Sequence, residues 1–263
     1  MRASLMTVAM ALLGSALAGS LAACLFPSFD EFQSPAGDAS VTSDVVQKSA
    51  ACPSPNIVCD DFESGSFSRW DSVEDGSSDT TVLRSDLPGG AARAGALMYS
   101  SAKAGNSTYL SKLFTPAPGA AVAVRAYLYI TEPKSGYLDI LSLRGPTSSK
   151  PRAVYRLEDD WKHKLVLSNA ADDLSSGEQV KALGPGWVCV EINAKIGDSA
   201  KLFINGILSS TAALPASGTE QFGELRVGIY NTTAEYALGV DDVALVQFSS
   251  AQALSDRPHI GCL

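Results

Sequence analysis

The sequence has few of the residues on which common catalytic and metal sites depend. Its two histidines, His163 and His259, lie far apart, and it has neither the spacing of a zinc site nor a G-x-S-x-G nucleophile motif. Basic residues number 20 against 28 acidic ones, for a formal charge of −8, and they are scattered singly. Because phosphate binding needs a concentrated basic surface, no nucleic-acid partner is expected.

The chain also lacks internal repeats, heptads and any sustained helical period. It shows instead the period of two that is typical of β-strands, most clearly in residues 122–130 and 186–196. The second segment predicts a strand with one buried face, formed by Val188, Val190, Ile192, Ala194 and Ile196. A strand ending in Asn205-Gly206 follows, and this pair favours a type I′ hairpin turn. We therefore predict half-buried strands in one all-β domain, with an acidic loop at residues 71–79.

These motifs resemble a known family. A tryptophan, Trp187, that opens an alternating strand, followed by a strand ending in Asn-Gly, resembles the laminin-G-like branch of the concanavalin A-like lectin and glucanase sandwiches. The Phe-Glu, Gly, Trp opening between residues 62 and 70 extends the resemblance, which covers residues 57–248 loosely. It implies an all-β fold, a two-sheet antiparallel jelly-roll sandwich of the concanavalin A-like kind. Its motifs are short and shared by many functions, so they indicate a fold and not a ligand.

The N-terminus has the pattern of an export signal. Arg2 precedes an apolar run at residues 3–18, and the run leads into Leu-Ala-Ala-Cys at residues 21–24, which resembles a bacterial lipobox. The resemblance implies cleavage before Cys24 and attachment of a lipid to that cysteine. Ordinary signal cleavage after Ala18 and retention of the apolar run as a membrane anchor are the alternatives.

The lipobox also predicts how the chain is organised. It gives a lipoprotein signal peptide at residues 1–23, a lipidated flexible tether at residues 24–51 and a sandwich domain at residues 52–263. Leu25 follows the lipidated cysteine, and by analogy with bacterial sorting this favours the outer membrane in a bacterium with two membranes. We thus expect an exported protein that meets the membrane through its lipid anchor only.

Four cysteines remain after Cys24 is assigned to the lipid, an even number for an exported protein. Disulfides are therefore expected, and four cysteines permit three pairings. We favour Cys52 with Cys59, which closes a small loop, and Cys189 with Cys262. Because the alternation puts Cys189 on the outward face of its strand, the second bond would pin the C-terminal tail across that face.

A candidate ligand site follows from the resemblance. Three consecutive strands are predicted at residues 137–144, 152–158 and 163–168, and in many relatives the corresponding concave sheet carries a glycan or an active site. The residues that could present stacking rings and polar groups there are Tyr137, Asp139, Tyr155, Arg156, Trp161 and Tyr230. The alternative is that these side chains are packed in the core or scattered over the surface.

A structural calcium ion is a second expectation from the resemblance. The inward phase of the last strand slips at Asp241-Asp242, which predicts a β-bulge. In related sandwiches an acid of the first strand's Phe-Glu often meets an Asp of the last strand around Ca²⁺. Here Glu63, Asp241 and Asp242 match by position, with Asp61 as a possible fourth ligand. The alternative is that the two aspartates cap an exposed edge.

The sequence favours binding over catalysis. Glycoside hydrolysis uses a pair of carboxylates, yet the Glu-x-Asp-x-x-Glu pattern of related glucanases is absent, and residues 158–160 are its nearest approach. Lyases of similar shape use Arg, His and Tyr, for which His163, Tyr155 and Arg156 are the candidates. We therefore expect a non-enzymatic cell-envelope protein that binds a glycan or surface polysaccharide. The alternatives are a structural or adhesion lipoprotein that binds a protein, or a polysaccharide hydrolase or lyase.

Overall fold

The alternating segments form β-strands in the computed structural model of the protein. The structure describes residues 56–75, 80–85, 97–130, 135–145, 151–158, 162–168, 173–174, 180–181, 186–216, 221–248 and 254–262. All of these belong to one unit, Val45–Leu263, whereas a second unit, Met1–Asp44, lies outside the described residues. The signal peptide, the lipid on Cys24 and the tether therefore stay predictions. No helix among the described residues is long and apolar enough to cross a membrane.

Sixteen strands lie in the described part of the chain. In chain order they are β1 (Asn56–Asp60), β2 (Ser72–Asp75), β3 (Thr80–Arg84), β4 (Leu97–Ala102), β5 (Thr108–Leu113), β6 (Ala121–Ile130), β7 (Tyr137–Arg144), β8 (Arg152–Glu158), β9 (Lys162–Ser168), β10 (Asp173–Leu174), β11 (Val180–Lys181), β12 (Gly186–Ala194), β13 (Asp198–Ile204), β14 (Ile207–Leu214), β15 (Glu224–Thr232) and β16 (Tyr236–Phe248).

The strands form two antiparallel sheets of eight strands each. Sheet A has the order β14-β13-β12-β6-β16-β4-β3, with β1 also paired to β16, and sheet B has the order β10-β9-β8-β7-β15-β5-β2, with β11 also paired to β9. Apolar side chains of the two inner faces share one core, in which Leu128 and Val190 of sheet A and Leu141 and Leu165 of sheet B are fully buried. Burial of each such side chain stabilises the fold by about 1.5–3 kcal/mol relative to leaving it exposed to water. The predicted two-sheet antiparallel jelly-roll sandwich is confirmed.

Two predicted departures from regular pairing are also confirmed. Asn205 and Gly206 join β13 to β14 with φ values of 49° and 79°, both positive, as a type I′ turn requires. The register of β16 against β6 shifts between Asp241 and Ala244, and Asp242 has a φ of 47°, so the phase slip is a β-bulge.

The central strands of sheet A are buried on both faces, so the prediction that they are half-buried is wrong. On β12, Glu191 and Asn193 point outward and are still 0% and 2% exposed, and Arg125 on β6 is 1% exposed. Residues 254–262, which we call the tail, lie over this face and form hydrogen bonds with Glu191 and Arg125. Leu254 and Ile260 pack there against an outward-facing apolar cluster of Ala121, Ala123, Val246 and Phe248. Strand periodicity shows which residues share a face, whereas the position of the tail across that face was expected from the Cys189–Cys262 pairing.

The tail is fixed by a buried carboxylate and a disulfide. Glu191 accepts hydrogen bonds from the backbone N–H groups of residues 259–261, with Gly261 N at 2.8 Å from Oε2. Cys189 and Cys262 form a disulfide, which is the pairing that the sequence favoured. Cys59 is also disulfide-bonded, and its expected partner Cys52 lies outside the described residues.

The predicted acidic loop at residues 71–79 contains a strand. Residues 72–75 form β2, which pairs with β5 at the edge of sheet B. Three of its four residues are exposed, so it lacks the apolar alternation that marks a half-buried strand. Residues 76–79 lie outside the described part of the chain.

Candidate functional site

The outward face of sheet B carries a group of arginine and tyrosine side chains. They come from β5, β7, β8 and β15, where they alternate with residues of the core. We call this group the arginine–tyrosine face, and its members are Tyr109, Tyr137, Arg144, Arg156, Arg226 and Tyr230.

At one end of this face, two tyrosines and two arginines stack on one another. The rings of Tyr109 and Tyr230 meet edge to face with centroids 6.2 Å apart. The Cζ atom of Arg226 lies 4.6 Å from the Tyr109 ring, and that of Arg144 lies 4.7 Å from the Tyr230 ring. Both distances are within the range of a cation–π contact. The cations therefore hold the rings in place.

Gly228 is required for this arrangement. It lies opposite Tyr109 with a φ of 123°, and a Cβ atom there would come within 2.8 Å of the Thr108 carbonyl oxygen and 2.9 Å of the Tyr109 Cα atom. A side chain at this position would therefore push β5 away from β15. Because glycine has no side chain, nothing projects from β15 between the outward-pointing side chains of Arg226 and Tyr230.

The two arginines at this end, Arg226 and Arg144, differ in whether a carboxylate pairs with them. The Glu224 carboxylate accepts two hydrogen bonds from Arg226, at 2.7 and 3.1 Å, and one from Ser111 Oγ at 2.9 Å. Arg144 is only 6% exposed, and its Nε and Nη1 atoms have no hydrogen-bond partner among the described residues. Burial lowers the pKa of Arg144 below its ordinary value, because it disfavours the charged form.

The other end of the face centres on Arg156. Its Nε and Nη2 atoms donate to the two oxygens of Asp139 at 2.6 and 3.0 Å, and its Cζ atom lies 4.0 Å from the Tyr137 ring. Burial opposes the charge of Arg156, but the hydrogen bonds and charge of Asp139 outweigh it and raise the pKa of the arginine. Asn231 donates to the hydroxyl of Tyr137 at 3.3 Å, and it directly follows Tyr230, so β15 links the two ends.

The structure therefore places Tyr137, Asp139, Arg156 and Tyr230 on one face, as the sequence led us to expect. It does not place Tyr155 there. Tyr155 is fully buried in the core, because adjacent residues of a strand point to opposite faces and its neighbour Arg156 points outward. Trp161, the sixth candidate, lies outside the described residues.

Tyr155 forms a buried pair with His163 instead. The Tyr155 hydroxyl and His163 Nδ1 are 2.7 Å apart, and the two rings stack with centroids 5.5 Å apart. Burial lowers the pKa of His163 to about 4 and raises that of Tyr155. Since Tyr155 and His163 face the core and Arg156 faces outward, these three residues do not form the lyase set considered from the sequence.

The sequence analysis missed three members of the face, Tyr109, Arg144 and Arg226, and it missed Glu224, the carboxylate bonded to Arg226. A signal for two of them was present. In β15 the apolar residues at 225, 227 and 229 point inward, so positions 224, 226 and 230 share the outward face. Tyr109 and Arg144 join them only through strand pairing, which the sequence does not show.

An open cavity of about 390 Å³ lies beside the Arg144 end of the face. It is lined by residues 113–116 and 221–223. Gly223 N donates to the carbonyl oxygen of Arg144 at 2.7 Å, so the cavity adjoins the ends of β5, β7 and β15.

The residues expected to bind calcium are not gathered into a site of that kind. Asp61, Glu63, Asp241 and Asp242 are all described, and no group of three or more His, Cys, Asp and Glu side chains in the described residues could hold a metal ion. Asp241 Oδ1 accepts from the N–H of Asp242 at 2.8 Å, and Asp61 Oδ1 accepts from the N–H of Glu63 at 3.3 Å. Calcium binding stays a prediction that rests on the resemblance.

No family model matches the chain, and no curated protein matches it. Solved structures do match the fold. The cellulose-induced protein Cip1 is 15% identical with a TM-score of 0.57, over 72% of this chain and 96% of that protein. The carbohydrate esterase vb_24B_21 from the Shiga toxin-encoding bacteriophage phi24B is 14% identical with a TM-score of 0.54, over 74% of this chain and 98% of the esterase. At these identities the similarity shows a shared β-sandwich fold.

Proposed function

We propose that the arginine–tyrosine face binds a glycan and that the protein is a non-enzymatic binding protein. The observation that carries this proposal is the gathering of six arginine and tyrosine side chains on one outward face. Tyr137 and Tyr230 are half-buried and so keep part of each ring accessible. An aromatic ring offers an apolar surface next to a polar hydroxyl, and arginine offers several fixed N–H donors, so together they suit a sugar, which has apolar C–H faces and many hydroxyls.

The structural neighbours support the same choice. Cip1 is named as cellulose-induced, and the phage protein is named as a carbohydrate esterase, so both names concern carbohydrates. Because the identities are low, the neighbours support a class of ligand and no particular sugar.

The export signal gives the proposed location. We propose that Cys24 carries a lipid and that the domain is displayed from a bacterial membrane, the outer one where there are two. Surface polysaccharides of the cell envelope would then be within reach of the domain. Mass spectrometry of the protein from its host would test this, since a diacylglyceryl group on an N-terminal Cys24 is expected and an intact residue 1–23 segment would contradict it.

A glycan array tests the binding proposal. The purified full-length chain should bind a defined set of glycans, and Tyr230→Ala should weaken that binding by about tenfold or more, as loss of one stacking and hydrogen-bonding anchor predicts. Tyr99→Ala is the matched control, because Tyr99 stacks with Arg84 on sheet A, away from this face.

The possible outcomes separate the alternatives. A folded chain that binds no glycan would overturn the proposal, and capture of a defined protein by that chain would favour the adhesion alternative. Cleavage of a bound polysaccharide would show that the protein is an enzyme.

A further inference from the structure

We propose that the glycan is acidic and that Arg144 is the residue that binds its negatively charged group. This inference rests on the proposed function and names the class of ligand for the same face. It begins with a difference among the three arginines of the face. Arg226 is bonded to Glu224 and Arg156 is bonded to Asp139, each through two hydrogen bonds, whereas Arg144 has no such carboxylate.

Nearby groups do not supply the missing partner. Glu224 is close enough to favour the charge of Arg144, but the side-chain hydrogen bonds that it accepts come from Arg226 and Ser111. Arg226 and Arg152 are both close enough to disfavour that charge. The Tyr230 ring contacts the guanidinium through a cation–π interaction, which satisfies none of its N–H donors.

A buried cation with unsatisfied donors is costly for a fold, because burial removes the water that would solvate it. An anionic ligand at the exposed part of Arg144 would compensate the charge, and the low polarity of the site would strengthen the attraction between the two charges. A neutral sugar would satisfy donors but would leave the charge uncompensated. An acidic sugar therefore fits Arg144 better.

Buried polar atoms without a hydrogen-bond partner also occur on the two neighbouring strands. Arg144 pairs with Arg152 on β8, and Arg152 pairs with Ser168 on β9. Arg152 Nε and Ser168 Oγ are also buried without a hydrogen-bond partner among the described residues. Since neighbouring strands lie about 4.8 Å apart, the backbones of the three residues form a row about 10 Å long. Buried polar atoms without a partner are therefore not confined to Arg144 at this end of the face.

Matched polymer pairs test the inference. The full-length chain is titrated with a polyuronate and with its carboxyl-reduced form, and with a sulfated polysaccharide and its desulfated form. We expect one charged polymer to bind about 10- to 100-fold more tightly than its neutral partner, and the pair that discriminates identifies the group as carboxylate or sulfate.

Substitutions then connect the discrimination to Arg144. Arg144→Gln should remove most of the preference for the charged polymer, and Arg144→Lys should keep part of it, because lysine keeps the charge but not the guanidinium geometry. Arg84→Gln removes an arginine that stacks on Tyr99 of sheet A and should leave the preference unchanged. Circular dichroism checks that each variant is folded.

The outcomes distinguish this inference from the proposed function. Equal binding of charged and neutral partners, or a preference that survives Arg144→Gln, would overturn the acidic ligand and leave glycan binding in place. Binding of neither member of any pair, together with no binding of neutral glycans on the array, would overturn both.

Discussion

The outward faces of the two sheets bury charge in opposite ways. On sheet A the Glu191 carboxylate is fully buried and accepts hydrogen bonds from three successive backbone N–H groups of the tail. On sheet B the Arg144 guanidinium is almost as well buried, and two of its nitrogens have no hydrogen-bond partner in the described part of the chain. The first charge is satisfied by the protein itself, and the second is not.

This difference separates a structural face from the proposed binding face within one sandwich. The tail adds a disulfide, a stack of His259 on Phe248 and three contacts of Lys201 with Leu254, Ser255 and Asp256, so the outward face of sheet A is closed by the protein's own chain. The arginine–tyrosine face has no comparable segment among the described residues. A buried polar group without a partner needs an explanation, and for Arg144 the explanation that we propose is a ligand.

The largest effect should come from releasing the tail. The Cys189–Cys262 disulfide joins residues 73 positions apart, and a crosslink of this span stabilises a fold by about 4 kcal/mol in the chain-entropy description. Cys189→Ala combined with Cys262→Ala should lower the free energy of unfolding by about that amount in urea denaturation. Glycan binding by the folded variant should be unchanged, because the proposed binding face is on the other sheet. A loss of binding at full folding would show that the two faces are coupled.

Removing the charge at Glu191 should have the next largest effect. Glu191→Gln replaces an acceptor of several N–H bonds by an amide whose NH₂ group faces backbone donors, so we expect a loss of about 3 kcal/mol. Hydrogen exchange at residues 259–261 should speed up in parallel. Glu235→Gln, at an exposed position, is the control and should change stability by less than about 0.5 kcal/mol. Unchanged protection of the tail amides would contradict the role given to Glu191.

Much of this fold could be predicted, because its signals are local. The alternation in β6 and β12, the type I′ turn at Asn205-Gly206 and the phase slip at Asp241 each depend on residues close together in the sequence. The disulfide to the tail followed from an even number of cysteines and the outward phase of Cys189.

The site was predicted less well, because it depends on sheet order and on burial. The aromatic character of Tyr155 suggested a ligand contact, although the alternation of Arg152, Arg156 and Glu158 outward already placed Tyr155 on the inner side. Arg144 and Tyr109 belong to strands separated in sequence and meet only because β15 lies between β7 and β5. That order is set by long-range pairing, which no short motif of this sequence specifies.

A fall in pH should destabilise the protein through His163, which lies in sheet B. Burial lowers the pKa of this histidine from 6.5 to about 4, so between these values the unfolded chain binds a proton that the folded chain does not. The stability due to neutral His163 is complete above pH 6.5 and is lost as the pH falls towards 4, by about 2 kcal/mol at pH 5.

The measurement compares urea denaturation of the protein and of His163→Gln at pH 7 and pH 5. The difference between the two proteins isolates His163 from other groups, such as buried Asp60, whose raised pKa acts in the opposite direction. The variant should lose about 2 kcal/mol less than the protein on acidification. An equal loss in both would show that His163 is not the group that titrates.

The smallest change in stability is expected for Arg144→Met, and its comparison with Glu191→Met gives the clearest test of the difference between the two faces. Arg144→Met removes a buried cation with unsatisfied donors and keeps a side chain of similar length, so the gain from desolvation offsets the lost contact with Tyr230. We expect the free energy of unfolding to stay the same or to rise by about 1 kcal/mol, whereas Glu191→Met should lower it by about 3 kcal/mol, because that substitution leaves the tail N–H groups unpaired. The affinity for the acidic polymer should change the other way. Arg144→Met should bind the polymer weakly, whereas folded Glu191→Met should bind it as tightly as the unsubstituted protein. A fall of 2 kcal/mol or more in Arg144→Met would mean that the arginine stabilises the fold as Glu191 does, and the contrast between a closed face and a binding face would then be wrong.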